Sequence, residues 1–139
     1  MKTPRFQAFD FHLGSLLGDQ FAGANFADWP LDYAELEPYY AAMELLIGVC
    51  GDAGSDPFAS PRSGPYPLPP GPDMYGASVL SEGARKLGLH PFTYPGAQLT
   101  RPYRGRPVCN DCGFCSGYGC PIHAKGSSAV TLMRDALLT

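Results

Sequence analysis

Hydrophobic positions along this chain fall into short, unlike patterns separated by turn residues. Residues 1–31 carry Phe6, Phe9, Phe11, Leu13, Leu16, Leu17, Phe21 and Phe26 with no sustained period, scattered among Gly and Asp as far as Trp29-Pro30. Without a helix or strand period there is no single face to bury, so the segment reads as an aromatic-rich covering loop whose rings plug a neighbouring core. Residues 32–48 change character. Asp32 and Glu35 have the spacing of a capping box, and Pro38 suits the first position of a helix, which places the main helix over Pro38 to Ile47. Tyr39, Ala42, Met43, Leu46 and Ile47 then form an apolar stripe predicted to pack as core, and Gly48 ends it.

The remaining pattern is discontinuous. Residues 49–72 form a Pro-rich connection, and Pro65, Pro67, Pro69 and Pro70 favour extended polyproline geometry, a stiff surface strap. Residues 73–88 read as a second helix: Asp73 is the N-cap, Met74, Ala77, Leu80, Ala84 and Leu87 are the apolar positions, and Gly88 is the terminator. Within 89–126, Phe92 to Leu99 suits a short strand interrupted at Pro95-Gly96, and a Cys-rich loop follows. Residues 127–139 suit a last helix opening near Ser127 or Ser128 and running through Val130, Met133 and Leu137. The expectation is one partial domain, mostly loops, with about three helices and little strand.

Composition sharpens this picture. The 139 residues include 17 glycines and 15 prolines, roughly double average usage, which leaves little chain for regular elements. Eight Phe and eight Tyr with 45% hydrophobic residues nonetheless exclude disorder by composition. A loop-rich, aromatic-rich chain is expected to wrap over another surface. The net charge of −3 divides into an acidic first half and a basic second half, without the cationic footprint of a nucleic-acid binder. No apolar run approaches a membrane span. Lys2 and Arg5 are followed by the polar stretch from Gln7 to Asp10 rather than a signal peptide's apolar region.

Candidate chemistry concentrates between Arg101 and Lys125. Cys109, Cys112, Cys115 and Cys120 fall as C-x2-C-x2-C-x4-C, followed by Pro121. Gly113, Gly117 and Gly119 permit the dihedrals needed to curl the sulfurs toward a common centre. The spacing lies one residue from a bacterial ferredoxin run, and Arg101, Arg104 and Arg106 are placed to offset a cluster's negative charge. Three readings stand open: an iron–sulfur site, a structural zinc site, and disulfides or buried reduced thiols. Cys50 stands apart as a small buried hydrophobe. His12 and His90 lie in turn-like contexts, and His123 is a further ligand if one thiol is unused. The chain has no G-x-G-x-x-G, P-loop, G-x-S-x-G or H-E-x-x-H, so no dinucleotide-binding pattern is present.

Several stretches together resemble the glucose–methanol–choline (GMC) oxidoreductases, in particular the branch of gluconate and sugar dehydrogenase flavoprotein subunits. They are DWPLDYAELEPYY at 28–40, GVCGDAGSDPF at 48–58, PRSGPYPLPP at 61–70, ARKLGLHPF at 84–92 and RPYRGRPVCNDCGFCSGYGCPIHAKGSSAVT at 101–131. The resemblance implies an interior fragment of an α/β FAD-binding fold of Rossmann type. The glycine-rich flavin turn precedes Met1, and the active-site histidine lies beyond Thr139. No catalytic residue therefore carries over to this chain, and FAD is bound mainly by regions outside it. The segment is expected to pack across the FAD domain, with the last helix leading into it.

The implied function is part of an FAD-dependent dehydrogenase that oxidises CH–OH groups of a sugar, polyol or alcohol and passes electrons to an acceptor other than oxygen. A cytochrome or small subunit is an implied partner. Full-length relatives are often periplasmic or held at a membrane by partner subunits. Some relatives hold a three-iron cluster in the corresponding loop, which would here use Cys115 and Cys120 with Cys109 or Cys112 as the third ligand. The alternatives are a free-standing iron–sulfur electron carrier, or a zinc- or disulfide-stapled interaction module.

Overall fold

A computed structural model describes residues 3–21, 23–113, 115 and 118–138. Among these residues are four short to medium helices: α1 (Leu13–Leu17), α2 (Tyr33–Ile47), α3 (Tyr75–Lys86) and α4 (Leu132–Ala136). Single 3-10 turns at Ala8–His12 and Ser128–Val130 precede α1 and α4. Among the described residues, strand pairing goes no further than isolated bridges.

The N-terminal stretch is more ordered than a covering loop. The turn at Ala8–His12 and α1 fold it back so that Phe11 is 1% exposed. Phe11 is ringed by Phe6, Trp29 and Tyr33 at centroid distances of 6.3, 5.3 and 6.3 Å, mostly edge-on, a geometry that suits the ring quadrupoles. Trp29 donates its backbone N–H to the Phe11 carbonyl at 2.9 Å, which closes the cluster. Part of the aromatic content thus serves this chain's own interior, while Phe9, Phe21 and Phe26 stay exposed.

Helix α2 begins at Tyr33, five residues earlier than Pro38 suggests. Glu35 accepts the Asp32 N–H at 2.8 Å, and the Asp32 side chain accepts the N–H of Glu35, a complete capping box. This cap nucleates the first turn, and Pro38 sits inside the helix, removing one backbone bond without ending it. The buried face also differs from the apolar stripe. Tyr39 and Met43 are exposed at 69% and 39%, whereas Tyr33 and Glu44 are buried.

An ion cluster explains the inversion. Glu44 Oε1 and Oε2 accept from Arg5 at 2.9 Å each and from Arg62 at 3.2 and 2.6 Å. Glu37 accepts from Arg5 at 2.9 Å and from the backbone and hydroxyl of Ser63 at 3.0 Å. Arg62 also lies 3.8 Å above the Tyr66 ring, a cation–π contact. One helix face thereby fastens the N-terminal segment and the Pro-rich connection. Burial pushes the Glu44 carboxyl up, but the hydrogen bonds from Arg5 and Arg62 outweigh it and hold its pKa below the usual range.

The hydrophobic core lies where α2 ends. Gly48 has φ of +80°, and a Cβ there would sit 2.7 Å from the Tyr103 ring and 2.9 Å from Leu99, so only glycine fits both the left-handed backbone and the space. Cys50, Leu68 and Leu99 pack together with Tyr103 against them. Cys50 bridges to both Leu68 and Gly96, and Gln98 bridges to Lys125. The segment expected as a strand at 92–99 is therefore extended, with single bridges in place of a ladder. A two-residue turn at Arg104-Gly105, both with positive φ of 47° and 74°, pairs Tyr103 with Arg106. This tip caps α2: Tyr103 Oη donates to the Leu45 carbonyl at 2.7 Å, and the Arg106 guanidinium donates to the Ile47 carbonyl. These are carbonyls a helix C-terminus leaves unpaired.

The other two helices stand apart from that core. The N-cap of α3 is one residue later than expected, at Met74 rather than Asp73. Gly88 at φ +74° ends it, with Gly88 N–H bonded to Arg85 and Leu89 N–H bonded to Ala84, both at 3.0 Å, a Schellman motif. No residue of α3 is buried. The expected single helix at 127–139 is broken at Thr131, which has φ −121° and ψ −89°. Its hydroxyl bonds back to the Ser127 carbonyl at 2.7 Å, the competing local bond by which threonine interrupts helices. Among the described residues no helix is long and apolar enough to cross a membrane.

Two outcomes follow for the protein expressed from its complete reading frame. Glu44→Gln leaves two buried guanidinium groups short of their counter-charge and is expected to lower stability by about 3 kcal/mol, read by urea denaturation; a change below about 1 kcal/mol would refute a central role for the cluster. Folding depresses the Glu44 pKa and, chiefly through the Ser63 N–H and then Arg5, that of Glu37 to about 2. Their contribution is therefore full above the unfolded carboxylate range near ~4.3 and is lost as pH falls toward the folded values. An acid titration followed by circular dichroism is expected to lose this contribution between those limits, and Glu37→Gln is expected to flatten that part of the curve.

Candidate cysteine site

The cysteine loop leaves and rejoins the body at one residue. Leu99 donates its N–H to the Ala124 carbonyl at 3.0 Å and accepts the Cys109 N–H at 2.8 Å. Gly126 N–H to Ala97 O at 2.6 Å continues the second contact. Leu99 is fully buried, so the neck of the loop is anchored in the hydrophobic core. Inside the loop, Lys125 Nζ donates to the carbonyls of Cys115 at 2.8 Å and Tyr118 at 3.2 Å. Asp111, Gly113 and His123 all have positive φ, which curls the backbone. Gly117 lies outside the described residues.

The four candidate cysteines occupy unequal environments. Cys109 and Cys120 are half-buried and Cys112 and Cys115 are exposed; all four thiols are free, as is that of buried Cys50. Cys109 Sγ accepts the Asp111 N–H at 3.4 Å and lies 3.6 Å from the Asp111 carboxylate. The Asp111 N–H pulls its pKa down, but burial and the Asp111 carboxylate outweigh it and raise it. Cys120 goes the other way. Burial raises its pKa, and the backbone N–H groups of Lys125, Ile122, Ala124 and His123 turned on its sulfur outweigh that, lowering it below the ordinary thiol value. Successive N–H groups around a left-handed residue form an anion-stabilising nest.

The structure does not bring the four sulfurs into one ligand set. Among the described residues, no three His, Cys, Asp or Glu side chains are grouped so as to hold a metal ion. No disulfide joins them either. Nor are two of the three upstream arginines, Arg104 and Arg106, turned to the cysteines. Arg106 is buried against the end of α2, and Arg104 pairs with Asp135 at 2.7 Å. Of the histidines, His12 pairs with Asp32 at 3.0 Å, His90 is exposed, and His123 N–H bonds the Cys120 carbonyl at 3.1 Å. Sequence reasoning missed Lys125 and Leu99, whose roles depend on backbone carbonyls that no spacing rule addresses.

The chain's curated relatives are flavoprotein oxidoreductases of the glucose–methanol–choline type. The gluconate 2-dehydrogenase flavoprotein of Pantoea cypripedii is 31% identical over 128 residues, covering 80% of this chain and 21% of that protein. The fructose dehydrogenase large subunit of Gluconobacter japonicus is 38% identical over 121 residues, covering 86% and 21%. The paromamine 6'-oxidase of Streptomyces fradiae is 31% identical over 129 residues, covering 93% and 22%. The chain thus spans about a fifth of the length of these relatives. No protein-family model matches it.

The N-terminus of α2 is filled by the carboxylates of Asp32 and Glu35, which would repel a diphosphate there. α3 opens at Met74-Tyr75 without a glycine-rich turn.

The opposite shifts at Cys109 and Cys120 are directly measurable. Alkylation by iodoacetamide, followed by peptide mass spectrometry across pH, is expected to show a lower midpoint for Cys120 than for Cys109; equal midpoints would count against the nest.

Proposed function

We propose that this chain is an interior segment of an FAD-dependent dehydrogenase. The complete protein oxidises a CH–OH group of a sugar, polyol or alcohol and delivers the electrons to an acceptor other than oxygen. The observation that carries this reading is the match of most of the chain to flavoproteins whose names specify gluconate and fructose dehydrogenation. The oxidase name of the third relative makes the acceptor the part of the proposal most in need of test. The redox chemistry belongs to the flavin, held by a Rossmann-type domain outside this chain, and none of this chain's side chains is assigned to it.

The segment's own contribution is a covering layer. α3 exposes Met74, Tyr75, Val79, Leu80 and Leu87, and the flanking Leu89 is exposed as well. Exposed apolar side chains on a helix with no buried residue suit an interface, and the FAD domain is the partner proposed for them. A cytochrome or small subunit is the proposed electron acceptor. The readings as a free-standing iron–sulfur carrier or a zinc-stapled module gain no support from the arrangement of the cysteines.

Protein expressed from the complete reading frame is expected to contain stoichiometric FAD. It should reduce an artificial dye acceptor with sugars or polyols while consuming little oxygen. Oxygen uptake as fast as dye reduction would convert the proposal to an oxidase. A preparation without flavin, or a reading frame with no glycine-rich turn upstream, would end it.

A further inference from the structure

We infer that the 109–120 loop of this chain is a metal-free loop, shaped by its neck and by Lys125, which carries Cys112 and Cys115 as free exposed thiols. The inference rests on the flavoprotein reading only for the choice of preparation, since it concerns the loop rather than the flavin.

A thiolate metal site needs sulfurs at about 2.3 Å from a common centre, so its ligands must converge on one point. Here they diverge. Cys112 and Cys115 face solvent, and no three ligating side chains are grouped among the described residues. Cys109 Sγ already has partners in the Asp111 N–H and carboxylate. Two of the three upstream arginines that could offset a cluster's charge are spent elsewhere. Arg106 is spent on the Ile47 carbonyl and Arg104 on Asp135.

The loop has another source of order. Both ends bond to Leu99, and the Lys125 ammonium draws two inner carbonyls toward the neck. Three donors on one ammonium do here what a metal ion does in a stapled loop, fixing the path of the chain from within. The cysteines are then left with the chemistry of thiols, and exposure makes Cys112 and Cys115 the accessible pair.

The test uses protein from the complete reading frame, purified anaerobically and scored for iron, acid-labile sulfide and zinc against flavin. All three are expected far below one equivalent. Iodoacetamide is expected to label Cys112 and Cys115 in the native protein and Cys50 only after unfolding. Lys125→Met should speed labelling of Cys109 and Cys120 severalfold as the loop opens, with metal content unchanged. Near-stoichiometric iron or zinc that disappears in Cys120→Ser would overturn the inference, as would native protection of both Cys112 and Cys115. Absence of flavin would instead strike the dehydrogenase reading and leave the metal measurement to stand by itself.

Discussion

One buried carboxylate organises this chain. Glu44 stands on α2 with Arg5 from the N-terminal segment on one side and Arg62 from the Pro-rich connection on the other. These two segments have almost no regular structure of their own, so few backbone bonds tie them to the body. Charge-assisted hydrogen bonds do it instead, and low exposure makes each stronger than its surface equivalent. Burial pushes Arg5 toward losing its proton, while Glu44, Glu37 and Tyr33 more than restore it. The cluster is thus balanced only as a set, because each member relieves the desolvation of the others.

A second junction sits one turn further on. Gly48 brings the end of α2 against Leu99 and Tyr103, and Arg106 and Tyr103 then cap its carbonyls. The Arg106 guanidinium is held below its usual pKa by burial and by Arg134 and Arg104. Tyr103 and Asp135 partly offset this, and the guanidinium donates to the Ile47 carbonyl at the negative end of the helix. The same short turn meets α4 through Arg134, whose guanidinium donates to the Arg104 carbonyl at 3.1 Å. Core, helix end, cysteine loop and last helix therefore meet within a few residues of Leu99.

What the sequence conveyed depended on how local the cause was. The capping box at Asp32 and Glu35 and the terminators at Gly48 and Gly88 were legible because their causes lie within one turn of chain. The burial of α2 was not legible. An apolar stripe at Tyr39 and Met43 points one way on hydrophobic grounds, but the pairing of Glu44 with arginines far away in sequence turns the helix the other way. Pro38 misled for a related reason, since an early cap can carry a helix through a proline. In the cysteine loop, spacing signalled that sulfurs could converge, while the diversion of Arg104 and Arg106 is a tertiary fact. The family resemblance added what physical pattern alone could not, the association with flavoproteins.

The shared anchor at Leu99 has a consequence for how this protein can vary. Because both ends of the 109–124 excursion close on one residue, its length is uncoupled from the geometry of everything beneath it. Inserting or deleting residues between the cysteines would leave the neck in place; the ring entropy changes by only roughly 0.6 kcal/mol for a doubling of its length, and the further cost is the Lys125 bonds to the Cys115 and Tyr118 carbonyls. The neck itself has little room: Gly126 already has the Ile47 side chain 2.6 Å from where a Cβ would stand.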